Sequence, residues 1–285
     1  MINGTRYRLD MEINRQSALA AEIARAQTEI STGRRIQSPS DDPVAAARIA
    51  DIGRAQATEG VWKANLDLAY ALAARADTVL AATANAVTRA QELMVTAANG
   101  TLSASNRAAV ALELRSIVEE LGALKDARDA RGGRLFPLAD VLRIPVGPGV
   151  AITAVTTRTE IFESVPTAAG ARDIAAIVAD AADALAEPDD ALRAAAVGVA
   201  LDEIADGVGH VAAMRGAQGA RGNRIDQLSE RMAVSGLLLE EERGALEDTD
   251  VTAVVARLQS RQLTLQAAQA VFARVNQTTL FDVLG

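Results

Sequence analysis

The sequence predicts a mainly α protein, a long antiparallel helical hairpin or coiled-coil rod with paired N- and C-terminal helices and a small β region at its distal end. Three observations carry this. Apolar residues make up 49% of the 285 but aromatics only 2%, so the apolar surface is alanine-rich and suited to close helix contacts rather than thick sheet cores. Residues 44–99 contain no proline. At both ends of the chain, apolar positions recur with alternating gaps of four and three, the period of a coiled-coil seam.

The first helix carries Leu9, Ile13, Gln16, Ala20, Ile23, Gln27 and Ile30 on its seam and should stop at Gly33. Gln37-Ser-Pro-Ser-Asp-Asp-Pro43 reads as a turn, with Asp42 capping the next helix and Pro43 in its first position. That helix runs from Pro43 to Asn99-Gly100, with a seam from Leu66 through Ala73, Leu80 and Val87 to Met94 and Ala97. A third spans 103–128, with Val110, Leu114, Ile117, Leu121 and Leu124 on one face.

Between Gly132 and Pro166 glycine and proline become frequent. Residues 150–155 and 156–162 favour extended chain, joined to what precedes them by a hairpin turn at Val146-Gly-Pro-Gly149. Helix should return from Ala171, break at Glu187-Pro188 and resume at Asp189 or Asp190 toward Arg243. In that stretch Gly198, Gly207, Gly209, Gly216, Gly219 and Gly222 weaken the helix but permit close approach. The last helix follows Asp248-Thr-Asp250 with the seam Val251, Val254, Leu258, Arg261, Leu265, Ala268, Phe272, Val275 and Thr279. The simplest way to bury the two terminal seams is against each other. This gives a terminal helical domain (1–42 with 246–285), a helical rod domain (43–131 with 171–245) and a reduced β region (132–170).

The chemistry-bearing residues are sparse. A net charge of −8 repels a phosphate backbone, so nucleic acid is not an expected partner. There is no cysteine and a single histidine, His210, which leaves no thiol chemistry, no zinc site built on those ligands and no triad. Asp41-Asp42 and Asp248 with Asp250 read as helix caps rather than acid–base pairs. Gly216, Gly219 and Gly222 lack the preceding strand and following Lys-Ser/Thr of a phosphate loop. No catalytic residue, cofactor or metal is expected, and no enzyme. Charged residues in the first thirty positions interrupt any signal-peptide core, and no apolar run is long enough for membrane insertion.

What remains is assembly. Leu9, Ile13, Ile23 and Ile30 with Leu258, Leu265, Phe272 and Val275 form the candidate interface, since two helices alone leave much apolar surface uncovered. The alternative reading of the same residues is the core of a monomeric bundle.

Particular segments resemble the bacterial flagellin family. These are Ile30-Ser-Thr-Gly-Arg-Arg-Ile-Gln-Ser-Pro-Ser-Asp-Asp-Pro-Val-Ala-Ala46, Arg89-Ala-Gln-Glu-Leu93, Ala97-Ala-Asn-Gly-Thr101, Leu246-Glu-Asp-Thr-Asp-Val251 and Gln259-Ser-Arg-Gln262. Within the family, Gly133-Arg-Leu-Phe136 and the closing Leu280-Phe-Asp-Val-Leu284 are similar to hook-associated proteins that join hook to filament. The second of these adds Leu280 and Phe281 to the interface. The resemblance implies an extracellular structural subunit of the flagellum, exported unfolded without a cleaved signal, whose terminal helices form an inner tube. The partners it implies are a hook-associated ring protein, flagellin, copies of itself in a ring, and an export chaperone on the C-terminal helix. It also implies a longer insert after Phe136, of which little remains here. A flagellin filament subunit and a soluble helical binding or sensor module are the other readings.

Overall fold

The structure is a computed structural model describing residues 2–99 and 102–277, with backbone alone at 2–6, 8, 9 and 275–277. The helices are α1 (Ile2–Thr32), α2 (Pro43–Ala97), α3 (Ala104–Lys125), α4 (Ile174–Ala186), α5 (Asp190–Glu247) and α6 (Val251–Gln277). Between α3 and α4 lie two antiparallel hairpins, β1 (Arg143–Gly147) with β2 (Val150–Thr153) and β3 (Val165–Thr167) with β4 (Gly170–Arg172). The mainly α class predicted from alanine content and seam spacing is what the chain adopts. Its contacts cluster into two compact units, Met1–Ala57 with Ser235–Gly285, and Thr58–Val234.

The second unit holds the larger core. The α2 seam is buried as its spacing predicts, from Leu66 through Ala73, Leu80 and Val87 to Met94 and Ala97, as are Leu114, Ile117 and Leu121 of α3. Thr83, the one hydroxyl on the buried seam, donates to the Val79 carbonyl at 2.9 Å and so satisfies itself within the helix. Helices α3 and α4 pack together. Asp173 caps α4 by accepting from the amides of Ala175 and Ala176 at 2.8 and 3.3 Å. Asp189 does the same for α5 after the break at Pro188, accepting from Ala191 and Leu192 at 2.9 Å.

Residues 156–162 do not continue as extended chain. Thr159–Glu163 forms a turn of π-helix instead, and Ile161 and Phe162 are buried from it. The β-branched threonines favour strand, but tertiary contact overrides them. Phe162 meets Phe136 edge to face, with ring centroids 5.4 Å apart and planes at 70°. Burial of a side chain this size stabilises by roughly 1.5–3 kcal/mol. Helix also returns later than Ala171, because Ala171 and Arg172 are paired to Pro166 and Val165 in β4.

Polar side chains from the long helices hold this irregular segment by its carbonyls. Asn65 of α2 donates to Pro145 O at 2.7 Å, and Gln218 of α5 to Ala154 O at 2.9 Å. His210 Nε2 lies 3.0 and 3.1 Å from the carbonyls of Glu160 and Ile161, so that nitrogen carries the proton. The lone histidine thus closes the carbonyl end of the π-turn. The glycines of α5 are mostly not sites of close approach. A Cβ at Gly207 would meet Val87 and Ile174 at 3.6 and 3.7 Å, whereas at Gly198, Gly209, Gly216, Gly219 and Gly222 it would meet nothing within 4 Å.

The first unit contains α1, α6 and the adjoining parts of α2 and α5. Its fully buried apolar side chains, among the described residues, are Ala26, Ala45, Ile52 and Val254.

Candidate assembly interface

The interface is built around the point where α1 ends and α6 begins. Gly33 takes φ +68°, a left-handed conformation that ends a helix at little cost only in glycine. The chain leaving it pairs with the segment between α5 and α6. The Arg35 amide donates to the Glu247 carbonyl at 2.8 Å, the Thr249 amide donates to the Gly33 carbonyl at 3.0 Å, and Arg34 and Asp248 face each other as an antiparallel bridge. The Arg35 guanidinium adds a bond to Leu246 O at 3.0 Å.

Glu247 is buried at this point and needs compensation. It receives Arg34 at 3.0 Å and Arg243 at 2.8 Å. Arg243 also donates to Gln56 on α2 at 3.2 Å.

Of the aspartates expected as caps, Asp42 and Asp250 cap helices, whereas Asp41 closes the turn that precedes α2. Asp41 Oδ2 accepts from the amides of Ser38 at 2.8 Å and Gln37 at 3.1 Å, and these bonds hold its carboxyl below the ordinary value. Asp42 Oδ1 accepts from the Ala45 amide at 3.0 Å with Pro43 opening α2, and Asp250 Oδ1 accepts from Ala253 at 3.1 Å to open α6.

From the clasp, α1 and α6 run antiparallel. Thr249 donates to Glu29 at 2.5 Å, Arg257 lies 3.8 Å from Glu29, and Arg261 pairs with Glu22 further along. On α6 the predicted seam faces inward: Val254 is buried and Leu258, Arg261, Leu265, Ala268 and Phe272 are half-buried, while Val251 is 44% exposed.

On α1 the seam is shifted by one position at alternate layers. Gln16, Ile23 and Ile30 are half-buried as predicted, but Leu19 and Ala26 face inward where Ala20 and Gln27 were expected, and Ile13 is 49% exposed. The signal for Leu19 and Ala26 lay in their spacing to Ile23 and Ile30, which the parallel series through Ala20 and Gln27 matched equally well. The side chains of Leu9 and Val275, and all of Leu280 and Phe281, lie outside the described residues.

Pairing does not exhaust the apolar surface. Tyr7 and Met11 of α1 are 68% and 56% exposed, and Leu263 and Val271 of α6 are 67% and 63% exposed. Among the described residues, no group of three His, Cys, Asp or Glu is placed to hold a metal ion, and no helix is long and apolar enough to cross a membrane.

Residues 9–137 match the family model for the bacterial flagellin N-terminal helical region, and residues 201–284 match that for the C-terminal helical region. The chain belongs to the bacterial flagellin family. The clasp joins the two matched regions, since Gly33 and Arg35 lie in the first and Glu247 and Thr249 in the second. Both hairpins, the π-turn and α4 fall between them.

Among its relatives, the chain is 25% identical over 297 aligned residues to flagellar hook-associated protein 3 of Escherichia coli, covering 92% of this chain and 93% of that one. It is 34% identical to flagellar hook-associated protein 3 of Salmonella typhimurium over 41% of this chain and 37% of that one. The crystal structure of the flagellar junction protein from Legionella pneumophila superposes with a TM-score of 0.59 at 13% identity, covering 70% of this chain and all of that one. At that identity the likeness speaks for the fold alone.

Proposed function

We propose that this flagellin-family chain is a structural subunit of the bacterial flagellum that joins hook to filament as a hook-associated junction protein. The observation that carries the reading is the similarity to the E. coli hook-associated protein 3, which extends over nearly the full length of both chains. The geometry supports a role in assembly. The terminal pair leaves Ile13, Leu263 and Val271 about half exposed or more, and its inward seam through Leu258, Leu265 and Phe272 is only half-buried. A neighbouring subunit would remove that surface from water at about 25 cal/mol per Å².

In this reading the terminal helices, with Leu9, Ile13, Ile23, Ile30, Leu258, Leu265, Phe272, Val275, Leu280 and Phe281, pack between copies in a ring. The ring is bounded by a hook-associated ring protein on one side and flagellin on the other. A chaperone holds the C-terminal helix until export, which proceeds without a cleaved signal and places the chain outside the cell. The 1–42/246–285, 43–131/171–245 and 132–170 divisions serve as inner tube, outer wall and solvent-facing β region. No step of chemistry is required of it.

The test is genetic and structural. Electron microscopy of a deletion strain should show hooks without filaments, with flagellin lost to the medium. Restoring the gene with Leu265→Asp and Phe272→Asp should not restore filaments, although the variant should retain folded α3 and α4. Normal filament growth with that variant would overturn the reading. Unaided polymerisation of the purified chain into long filaments would make it the filament subunit instead.

A further inference from the structure

A groove of about 360 Å³ lies on the second unit between α2 and the loop after α3, with Leu68, Ala71 and Leu72 as its apolar floor and Arg75, Arg128 and Arg131 around it. The one carboxylate lining it, Asp129, is taken up by its own loop, accepting from the amides of Arg131 and Gly133 at 2.9 and 2.8 Å. Arg128 is likewise engaged with Gly132 O at 2.7 Å. Arg75 and Arg131 are exposed and, among the described residues, are paired with no carboxylate. On a chain of net charge −8, this is a local cationic and apolar surface.

The matching surface stands on α5. Leu237 and Leu238 are 56% and 60% exposed, the only successive large apolar residues both open among the described ones. Glu240 and Glu241 follow, exposed and without an ion-pair partner among the described residues. Helical spacing puts Glu241 on the same face as both leucines.

We propose that the Leu237-Leu238-Glu241 face of one copy docks into the Leu68/Leu72 groove of a second copy, with the Glu241 carboxylate against Arg75 and Arg131. Apolar residues fill the floor while opposite charges set orientation. A patch and its complement at different places on one molecule make a heterologous contact, the kind that closes into rings or continues as helical arrays. The proposal rests on the assembly reading above and adds to it a contact outside the terminal helices.

The chain has no cysteine, so introduced thiols are the only ones. A strain whose gene is replaced by the A71C/L238C double variant should assemble flagella that, treated with a short bismaleimide, yield a ladder of multiples of 29.7 kDa. A71C or L238C alone should not. Adding R131E should reduce the ladder roughly tenfold, and E241R in the same chain should restore it.

If the double variant is present in the isolated flagella but gives no ladder, this contact is wrong while the assembly reading survives. A ladder unchanged by R131E also overturns it, as does a single larger adduct with another flagellar protein, which would assign the groove to that partner. If the wild-type chain is absent from flagella, the assembly reading fails and takes this contact with it.

Discussion

The amide of Arg35 donates to the carbonyl of Glu247 at 2.8 Å, which ties the exit of α1 to the end of α5, just before α6. The reciprocal bond, from Thr249 to Gly33, depends on the left-handed backbone of Gly33 at φ +68°. Gly33→Ala keeps the open space around this position but strains the backbone by about 1–2 kcal/mol. Hydrogen exchange at Thr249 and the first turn of α6 should accelerate roughly tenfold, with α3 unchanged. Unchanged exchange at Thr249 would show that the clasp does not depend on this residue.

Glu163 should make stability fall in acid. Hydrogen bonds from Lys125 and then Arg158, each at 2.9 Å, hold its pKa at about 2 against an ordinary 4.5. A carboxyl lowered on folding contributes stability that is complete above 4.5 and disappears as pH falls from there toward 2. Urea titrations should find Glu163→Gln less stable than the parent by about 1–2 kcal/mol at pH 6, and the difference should shrink steadily as pH falls from 4.5 toward 2. A gap that stayed constant with pH would refute the assignment.

Gln218 is nearly inaccessible, with Nε2 on Ala154 O at 2.9 Å and Oε1 without a partner. Gln218→Ala removes the donor and leaves the Ala154 carbonyl unpaired, so the melting curve should report a loss of about 1–3 kcal/mol. Gln218→Glu should be worse, because it faces two carbonyls with a charge.

Gly219 sits within α5 with open space where a Cβ would go. Gly219→Ala should therefore raise stability by about 0.5–1 kcal/mol, as the helix gains propensity without a clash. At Gly207, facing Val87 and Ile174, Gly207→Leu should instead destabilise the core. Thermal denaturation of the two variants should move in opposite directions.

How far these features could be read from sequence depended on how local their causes were. The α2 seam was legible because its apolar and small residues follow one stripe from Leu66 to Ala97. The α1 seam was ambiguous because gaps of three and four around Ile23 and Ile30 fit two neighbouring stripes, of which the one with Leu19 and Ala26 is the more apolar; the ion pairs of Glu22 and Glu29 with α6 accompany that one. The π-turn at Thr159–Glu163 was hidden by β-branched residues whose preference is overruled by Phe136 and His210, remote in sequence. The clasp left only a faint sign, Arg34-Arg35 at one end and Glu247-Asp248 at the other, since pairing across such a separation has no local period to detect.

That separation has a consequence for how the molecule comes into being. The Arg35 side chain reaches Leu246 O across 211 positions of chain, whereas the packed helices α3 and α4 are separated only by residues 126–173. Loop closure delays contacts between remote residues, so the clasp is expected to be among the last to form. No fragment ending before Glu247 can make it. Closing the clasp is therefore possible only in a chain that extends at least to Thr249.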